Sequence, residues 1–399
     1  MLPDVAALVD RTRRALDGGP PVVPLPLLSA QAPPSGTALV VRTSGSTGAP
    51  REVALGAAAL RASAAATRER LGAAGRWVLT LPATHVAGMQ VVVRSVLAGT
   101  PLTAADPDAA FAPDGLASLL AAPLAGDDPV FVSLVPTQLH RVIAAADAGA
   151  PAGLRALARC GGVLLGGAAT PPGLLERARA AGVPVVRTYG MSETAGGCVY
   201  DGVPLPGVRL RLAPGPADDA SGAGVVEIAG PTLATGYLGA DDATAAAFVE
   251  GRDGRWLRTS DLGTLTDGVL SVLGRADDVV VTGGVNVAPA AVEAVLGELL
   301  GAEVCVVGVP DDEWGQAVVA VVAVPAASGT ARGARRPEAW GRVLDDDELA
   351  RVRSVVADRV GRAAAPRRVL EVPALPLRGP GKIDRAAVVD LVRRAGAPH

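Results

Sequence analysis

Short apolar runs, separated by longer stretches in which Ala, Leu and Arg recur at helical spacing, organise the first half of the chain. Ala38 to Val41, Trp77 to Leu81, Val130 to Leu134, Val163 to Leu165 and Val183 to Arg187 have the length and composition of buried strands. Their alternation with helical segments predicts an α/β architecture. From Val208 to Leu273 the pattern shifts to short strands broken by Gly, Pro and Asp, Gly224 to Ala229 and Gly268 to Leu273 among them, which predicts a β-rich subdomain. Alternation then resumes with strands Val304 to Val309 and Val318 to Val324, a helix over Asp347 to Arg362, and a terminal turn around Pro380-Gly381-Lys382. Ala326 to Arg342, rich in Ala, Gly, Arg and Pro, reads as a surface insertion or linker. No internal repeat is visible.

At 399 residues the chain exceeds the roughly 250–300 at which one core stops growing, so two or more domains are expected. Hydrophobic residues at 49% and charged residues at 19% mark a soluble globular protein rather than a disordered one. The net charge of -3 argues against a nucleic-acid partner. The longest block of like charge, Asp345-Asp346-Asp347-Glu348, reads as a solvated helix start rather than a metal site. Cys160, Cys198 and Cys305 are odd in number, widely spaced and outside any CxxC pattern, so neither a disulfide framework nor structural zinc is expected. With no basic-then-apolar leader and no apolar run of about 18 residues, the chain is expected in the cytoplasm, off the membrane.

Lysine usage changes the picture. Of the 37 Lys and Arg residues, Lys382 is the only lysine, in a chain whose Ala, Gly, Val and Arg richness points to a coding bias that replaces lysine where physics allows. An ammonium is a compact point charge whereas a guanidinium is a broad planar fork, so a site that threads one cation between two oxygens does not accept arginine. The Pro380-Gly381 turn presents the side chain.

Arg42-Thr43-Ser44-Gly45-Ser46-Thr47-Gly48-Ala49-Pro50-Arg51 follows an apolar strand directly and sets hydroxyls among small glycines, equipment for wrapping a polyphosphate, without being a Walker A loop. This stretch resembles the phosphate loop of the acyl-CoA synthetase and adenylation-domain superfamily, with Arg51 where that family usually has lysine. Further matches follow in the family's order. Gly166-Gly167-Ala168 resembles the segment against adenine, and Thr188-Tyr189-Gly190-Met191-Ser192-Glu193-Thr194 the adenylate motif. The resemblance implies that Tyr189 lines the adenine pocket, Thr194 approaches the α-phosphate, and Glu193 holds Mg²⁺ with the loop's Thr47. Asp261, in Arg258-Thr259-Ser260-Asp261, resembles the ribose-binding carboxylate, Arg275 a nucleotide contact, and Asp277 the hinge. Gly283 to Val287 and Pro289 to Glu293 match the opening of the family's small domain, and Pro380 to Arg385 its catalytic-lysine motif, in which Lys382 bridges the substrate carboxylate and the α-phosphate. The implied fold is a large N-terminal adenylate-forming α/β domain with a β-rich subdomain, residues 1–276, and a small mobile α+β domain, residues 277–399. The front departs from the family: 42 residues precede the loop where members commonly carry well over a hundred, so the substrate-side wall is reduced or supplied by a partner, with a homodimer one route.

Leu81 to Met89 resembles the segment whose His gates the acyl pocket, here His85, and Arg94 beyond it is a candidate to pair with a second substrate carboxylate. Tyr189 to Gly207, with Gly196 and Gly197 leaving room for an aromatic ring, and the short length are similar to the o-succinylbenzoate–CoA ligases of menaquinone biosynthesis. The expected activity is therefore AMP-forming ligation of an aromatic diacid to CoA with Mg²⁺ and ATP. Three alternatives stay open: another aryl- or fatty-acyl-CoA ligase, an adenylation domain serving a carrier protein, and a non-catalytic nucleotide-binding relic.

Overall fold

The computed structural model describes residues 5–43, 50–107, 109–214, 222–324, 342–378 and 382–395, with backbone alone at Arg378 and Lys382. The segment 326–341 of the expected insertion and the loop residues Ser44, Gly45, Ser46, Thr47 and Gly48 lie outside them.

A seven-stranded sheet organises the first half. Its order is Thr103–Ala104, Arg76–Leu79, Val130–Leu134, Gly162–Gly166, Val185–Met191, Gly196–Tyr200 and Val203–Pro204. The first five strands are parallel and the last two antiparallel. The continuous apolar runs arise because both faces are covered. In Val130–Leu134, Val130, Val132 and Leu134 pack on one face against the helices Pro113–Ala121, Pro136–Asp147 and Pro172–Ala180, while Phe131 faces the opposite core. That opposite core holds helices α1 (Val5–Leu16), α2 (Ala57–Leu71) and α3 (Val86–Ala98). α3 is buried from Gly88 to Ser95 because α1 and α2 cover the side turned away from the sheet. A side chain at Gly88 would meet the Pro82 carbonyl at 2.3 Å, so glycine there lets α3 tuck against the turn that carries His85.

Two smaller sheets complete this part. Thr37–Arg42, Glu52–Gly56 and Gly236–Tyr237 form an antiparallel trio that sets Tyr237 beside Val53. The expected β-rich section is a five-stranded antiparallel sheet, with Gly224–Ala229 and Phe248–Gly251 flanking the long strand Gly254–Thr266, which also pairs with Val269–Arg275.

The last part is built around a hairpin, Glu303–Asp311 with Gly315–Ala323, to which Arg368–Val372 adds in parallel. Its residues alternate strictly. Val304, Val306, Val318, Ala320 and Val322 pack with the helices Pro289–Leu300 and Asp346–Arg359, whereas Cys305, Val307, Val319 and Val321 pack with the final helix Arg385–Ala395. A period of two with both faces covered turns the run into a central sheet with helices on each side. Asp345 caps its helix by accepting from the Glu348 N–H at 2.9 Å, so the acidic block is a helix start. Among the described residues, the buried apolar clusters fall into those drawn from residues 8–270 and those drawn from residues 280–392.

Candidate active site

Several of the candidate residues, Gly167, Ala168, Tyr189 and Asp261 among them, lie where the parallel strands end, the edge at which open α/β sheets bind ligands. Gly166 ends its strand so close to its neighbour that a Cβ would lie 2.3 Å from Thr188 Oγ1, and the exposed Gly167 and Ala168 follow at the rim. Tyr189 leaves the next strand and its hydroxyl donates to Asp261 Oδ2 at 2.7 Å. Burial, reinforced by the Asp261 charge, pushes the Tyr189 phenol well above its ordinary range, so it stays a donor. Asp261 and Arg275 face each other in the strand register, with Nη1 at 3.7 Å from Oδ1, while Arg275 Nη2 also pairs with Asp277 Oδ2 at 2.8 Å.

A second constellation lies alongside. The Tyr237 hydroxyl donates to Glu193 Oε1 at 2.9 Å, and the Arg51 guanidinium sits 5.1 Å from the Tyr237 ring centroid. Burial, then the Glu193 charge, raises the Tyr237 phenol, which keeps it protonated and orienting the carboxylate. Thr43 and Arg51 close the mouth of the phosphate loop: the Thr43 N–H donates to the Arg51 carbonyl at 2.8 Å and the Arg51 N–H to Thr43 Oγ1 at 3.2 Å.

Thr194 differs from the expectation of a phosphate contact. Its fully buried hydroxyl accepts from the Met191 N–H at 2.9 Å and donates to the Gly196 carbonyl at 2.7 Å, so its hydrogen bonds shape the turn itself. The next residue, Ala195, holds the left-handed conformation at φ 52°. Its carbonyl accepts from Ser63 Oγ at 3.1 Å and Gln90 Nε2 at 2.6 Å, and these two donors from α2 and α3 pin a turn that a non-glycine residue otherwise disfavours.

On the acyl side His85 precedes α3, with Thr84 Oγ1 2.9 Å from its Nδ1. Val86, Gln90 and Arg94 form one stripe along α3. A Cβ on the buried Gly196 would reach Gln90 Cγ at 3.3 Å, so glycine there lets the strand lie close against α3 rather than leaving space for a ring. The Cβ position of Gly197 is likewise crowded, by Tyr200 at 3.1 Å and Thr188 at 3.2 Å, so its smallness also serves packing rather than room for a ring. Arg94 is buried at 6% exposure, with its guanidinium 4.8 Å from the Trp77 ring centroid and Nη2 3.4 Å from the Tyr200 hydroxyl. Its Nε has no hydrogen-bond partner, and no carboxylate among the described residues forms an ion pair with it.

Lys382 pairs through its backbone with Arg378 in the short hairpin Leu377–Arg378 and Lys382–Ile383. Sequence reasoning passed over Tyr237, Gln90 and Ser63. The signal for Tyr237 was its rarity, as one of three tyrosines placed within an Ala/Gly/Leu stretch; Gln90 and Ser63 sit in helical patterns that carry no such mark.

The fold is that of an adenylate-forming enzyme. The chain belongs to the AMP-binding enzyme family: residues 6–238 match the family described as AMP-binding enzyme, and residues 291–382 match the AMP-binding enzyme C-terminal domain. A probable 2-succinylbenzoate–CoA ligase of Mycobacterium tuberculosis is 43% identical over 360 residues, covering 88% of this chain and 84% of that one. The 2-succinylbenzoate–CoA ligase of Geobacillus kaustophilus is 32% identical over 376 residues, covering 89% and 69%. Among solved structures, the o-succinylbenzoate CoA synthetase of Bacillus subtilis in complex with its acyl-adenylate intermediate superposes with a TM-score of 0.70 at 25% identity, covering 91% of this chain and 69% of that one.

Proposed function

We propose that this chain is a 2-succinylbenzoate–CoA ligase that converts the acid, ATP and CoA into 2-succinylbenzoyl-CoA, AMP and diphosphate through an acyl-adenylate. The observation that carries the substrate is Arg94, a buried guanidinium on α3 with an unpaired Nε and, among the described residues, no carboxylate in ion-pair contact. A buried cation is costly without a counter-charge. An acid with a second carboxylate would supply one, and the named relatives support that choice.

In the first half-reaction a carboxylate oxygen of the acid attacks the α-phosphorus of ATP, and the bond to the diphosphate oxygen breaks. Asp261 accepts from the ribose hydroxyls, displacing the Tyr189 hydroxyl it holds now, and the Tyr189 ring borders adenine. Arg51 and the hydroxyl-rich loop that precedes it would supply donors to the β- and γ-phosphates. Lys382 bridges the reacting carboxylate and the α-phosphate, offsetting charge where it develops. No cluster of three metal-ligating side chains forms among the described residues, and Mg²⁺ characteristically needs only one or two carboxylates beside the nucleotide phosphates. Glu193, oriented by Tyr237, fits that demand, with Thr47 as a second oxygen; the ion would neutralise charge on the departing diphosphate.

In the second half-reaction the CoA sulfur attacks the acyl carbonyl and AMP leaves. We set the domain boundary between Ala276 and Asp277, with rotation there withdrawing Lys382 and admitting the thiol while His85 gates the acyl side. The cytoplasm suits three buried free thiols, and no helix of the described residues is long and apolar enough to cross a membrane. The test is mass-spectrometric detection of CoA thioesters with Mg·ATP, CoA and o-succinylbenzoate, benzoate, acetate or a medium-chain fatty acid. Product from o-succinylbenzoate alone supports the assignment; product from another acid replaces the substrate, and none removes the ligase reading.

A further inference from the structure

The two adjacent carboxylates at the domain boundary pair in opposite directions. Asp277 Oδ2 lies 2.8 Å from Arg275 Nη2, on the nucleotide side. Asp278 Oδ2 lies 3.2 Å from Arg385 Nε, in the first turn of the final helix. Arg385 reaches further: Nη2 is 2.7 Å from Glu293 Oε1, and Nη1 donates to the Val306 carbonyl at 2.7 Å. Glu293 Oε1 in turn accepts from the Val306 N–H at 2.8 Å. One guanidinium thus joins the boundary turn Ala276–Asp278, the helix Pro289–Leu300 and the strand Glu303–Asp311. Burial works against its charge, but Glu293, then the Cys305 thiol and Asp278, outweigh burial and hold its pKa above the ordinary value. Arg385 follows Ile383 and Asp384, and the Asp384 N–H donates to the Pro376 carbonyl at 2.9 Å, closing the base of the Lys382 hairpin.

We propose that Arg385 is a positioning residue that ties the backbone of the Lys382 hairpin to Asp278, the first residue beyond the hinge, so that rotation at Asp277 carries Lys382 without slack. The geometry suits a planar fork. Guanidinium addresses two carboxylates and a carbonyl at fixed angles, which an ammonium does not reproduce. The chemistry of adenylation depends on the placement of Lys382, whereas transfer to CoA takes place with that lysine withdrawn, so a loosened tie weighs on the first half-reaction.

This inference rests on the ligase reading above, and its test separates the two. Acid-dependent ATP–pyrophosphate exchange and CoA-thioester formation from supplied acyl-adenylate are measured on the full chain and on Arg385→Gln and Asp278→Asn. A misplacement of the order of 1 Å costs on the order of 100-fold, so Arg385→Gln is expected to lower the exchange kcat by about that factor, with KM for ATP held within about two-fold and adenylate-to-CoA transfer within about five-fold. Asp278→Asn keeps an acceptor at a partly exposed position and should show the same imbalance, smaller in size; it decides the matter alone where Arg385→Gln fails to fold. Equal loss in both half-reactions, or exchange at the unaltered rate, overturns the coupling. No exchange by the unaltered enzyme with any acid overturns the ligase reading instead, and the coupling with it.

Discussion

Single side chains decide which half of the reaction is affected. If Lys382 stabilises charge during adenylation, as proposed, Lys382→Ala should lower ATP–pyrophosphate exchange by at least about 100-fold while adenylate-to-CoA transfer persists. Rates that fall together would remove Lys382 from that role. Arg94→Met keeps the apolar stem against Trp77 and deletes the cation; if the buried guanidinium receives a carboxylate, KM for 2-succinylbenzoate should rise about 10- to 100-fold while KM for benzoate stays put. Tyr237→Phe removes the donor that orients Glu193, and if Glu193 holds Mg²⁺ as proposed, a magnesium titration should show an apparent affinity weakened about 10-fold. Candidates were unevenly legible. Lys382, Glu193 and Asp261 stand out in the sequence as charged groups in recognisable surroundings, whereas the Thr194 hydroxyl reads as a ligand in sequence and spends its hydrogen bonds on its own turn in space.

Elements set how closely these groups approach one another. The strands Val185–Met191 and Gly196–Tyr200 pair at Gly190 opposite Gly197, where a Cβ on Gly190 would fall 2.2 Å from the Gly196 carbonyl. Gly190→Ala therefore has to push the strands apart, and a urea midpoint should report a loss of about 1–3 kcal/mol along with the adenylation activity. The helix Asp346–Arg359 offers a contrasting case away from the site: Asp345→Ala deletes the cap bonded to the Glu348 N–H and should cost about 1 kcal/mol with activity unchanged. Strand positions were well marked in the sequence, Gly224–Ala229 residue for residue, because a buried strand is a short apolar run whatever its neighbours. Their ends were less so. The strand predicted over Val183 to Arg187 starts at Val185 and runs on to Met191, since its polar last turn is held by pairing with Gly196–Tyr200.

At the scale of the whole molecule, three thiols lie in separate cores. Burial pushes Cys160, Cys198 and Cys305 each up to about 12 from the ordinary 9.0. A thiol that ionises less readily when folded favours the native state below about pH 9 and loses that contribution as pH rises towards 12, because the unfolded chain releases its protons first. Unfolding midpoints should therefore fall progressively above pH 9, and thiol reagents at neutral pH should label the native protein slowly and the denatured chain at three sites. A native protein labelled as fast as the denatured one would contradict the buried placement.

The sequence by itself determined the α/β alternation, the change to a β-rich section, the order of the nucleotide motifs and the sole lysine near the end, because each is written in local composition and spacing. Tertiary structure decided what local pattern does not encode. Tyr237 meets Glu193 only through an antiparallel strand pairing, and Gln90 and Ser63 meet Ala195 only where two helices cross the sheet. Arg94 became a buried charge because Trp77 and Tyr200 close around it, and Asp277 and Asp278, neighbours in sequence, acquired different partners, Arg275 and Arg385. Contacts of this kind depend on which faces are brought together, and that is settled by packing rather than by any stretch of chain.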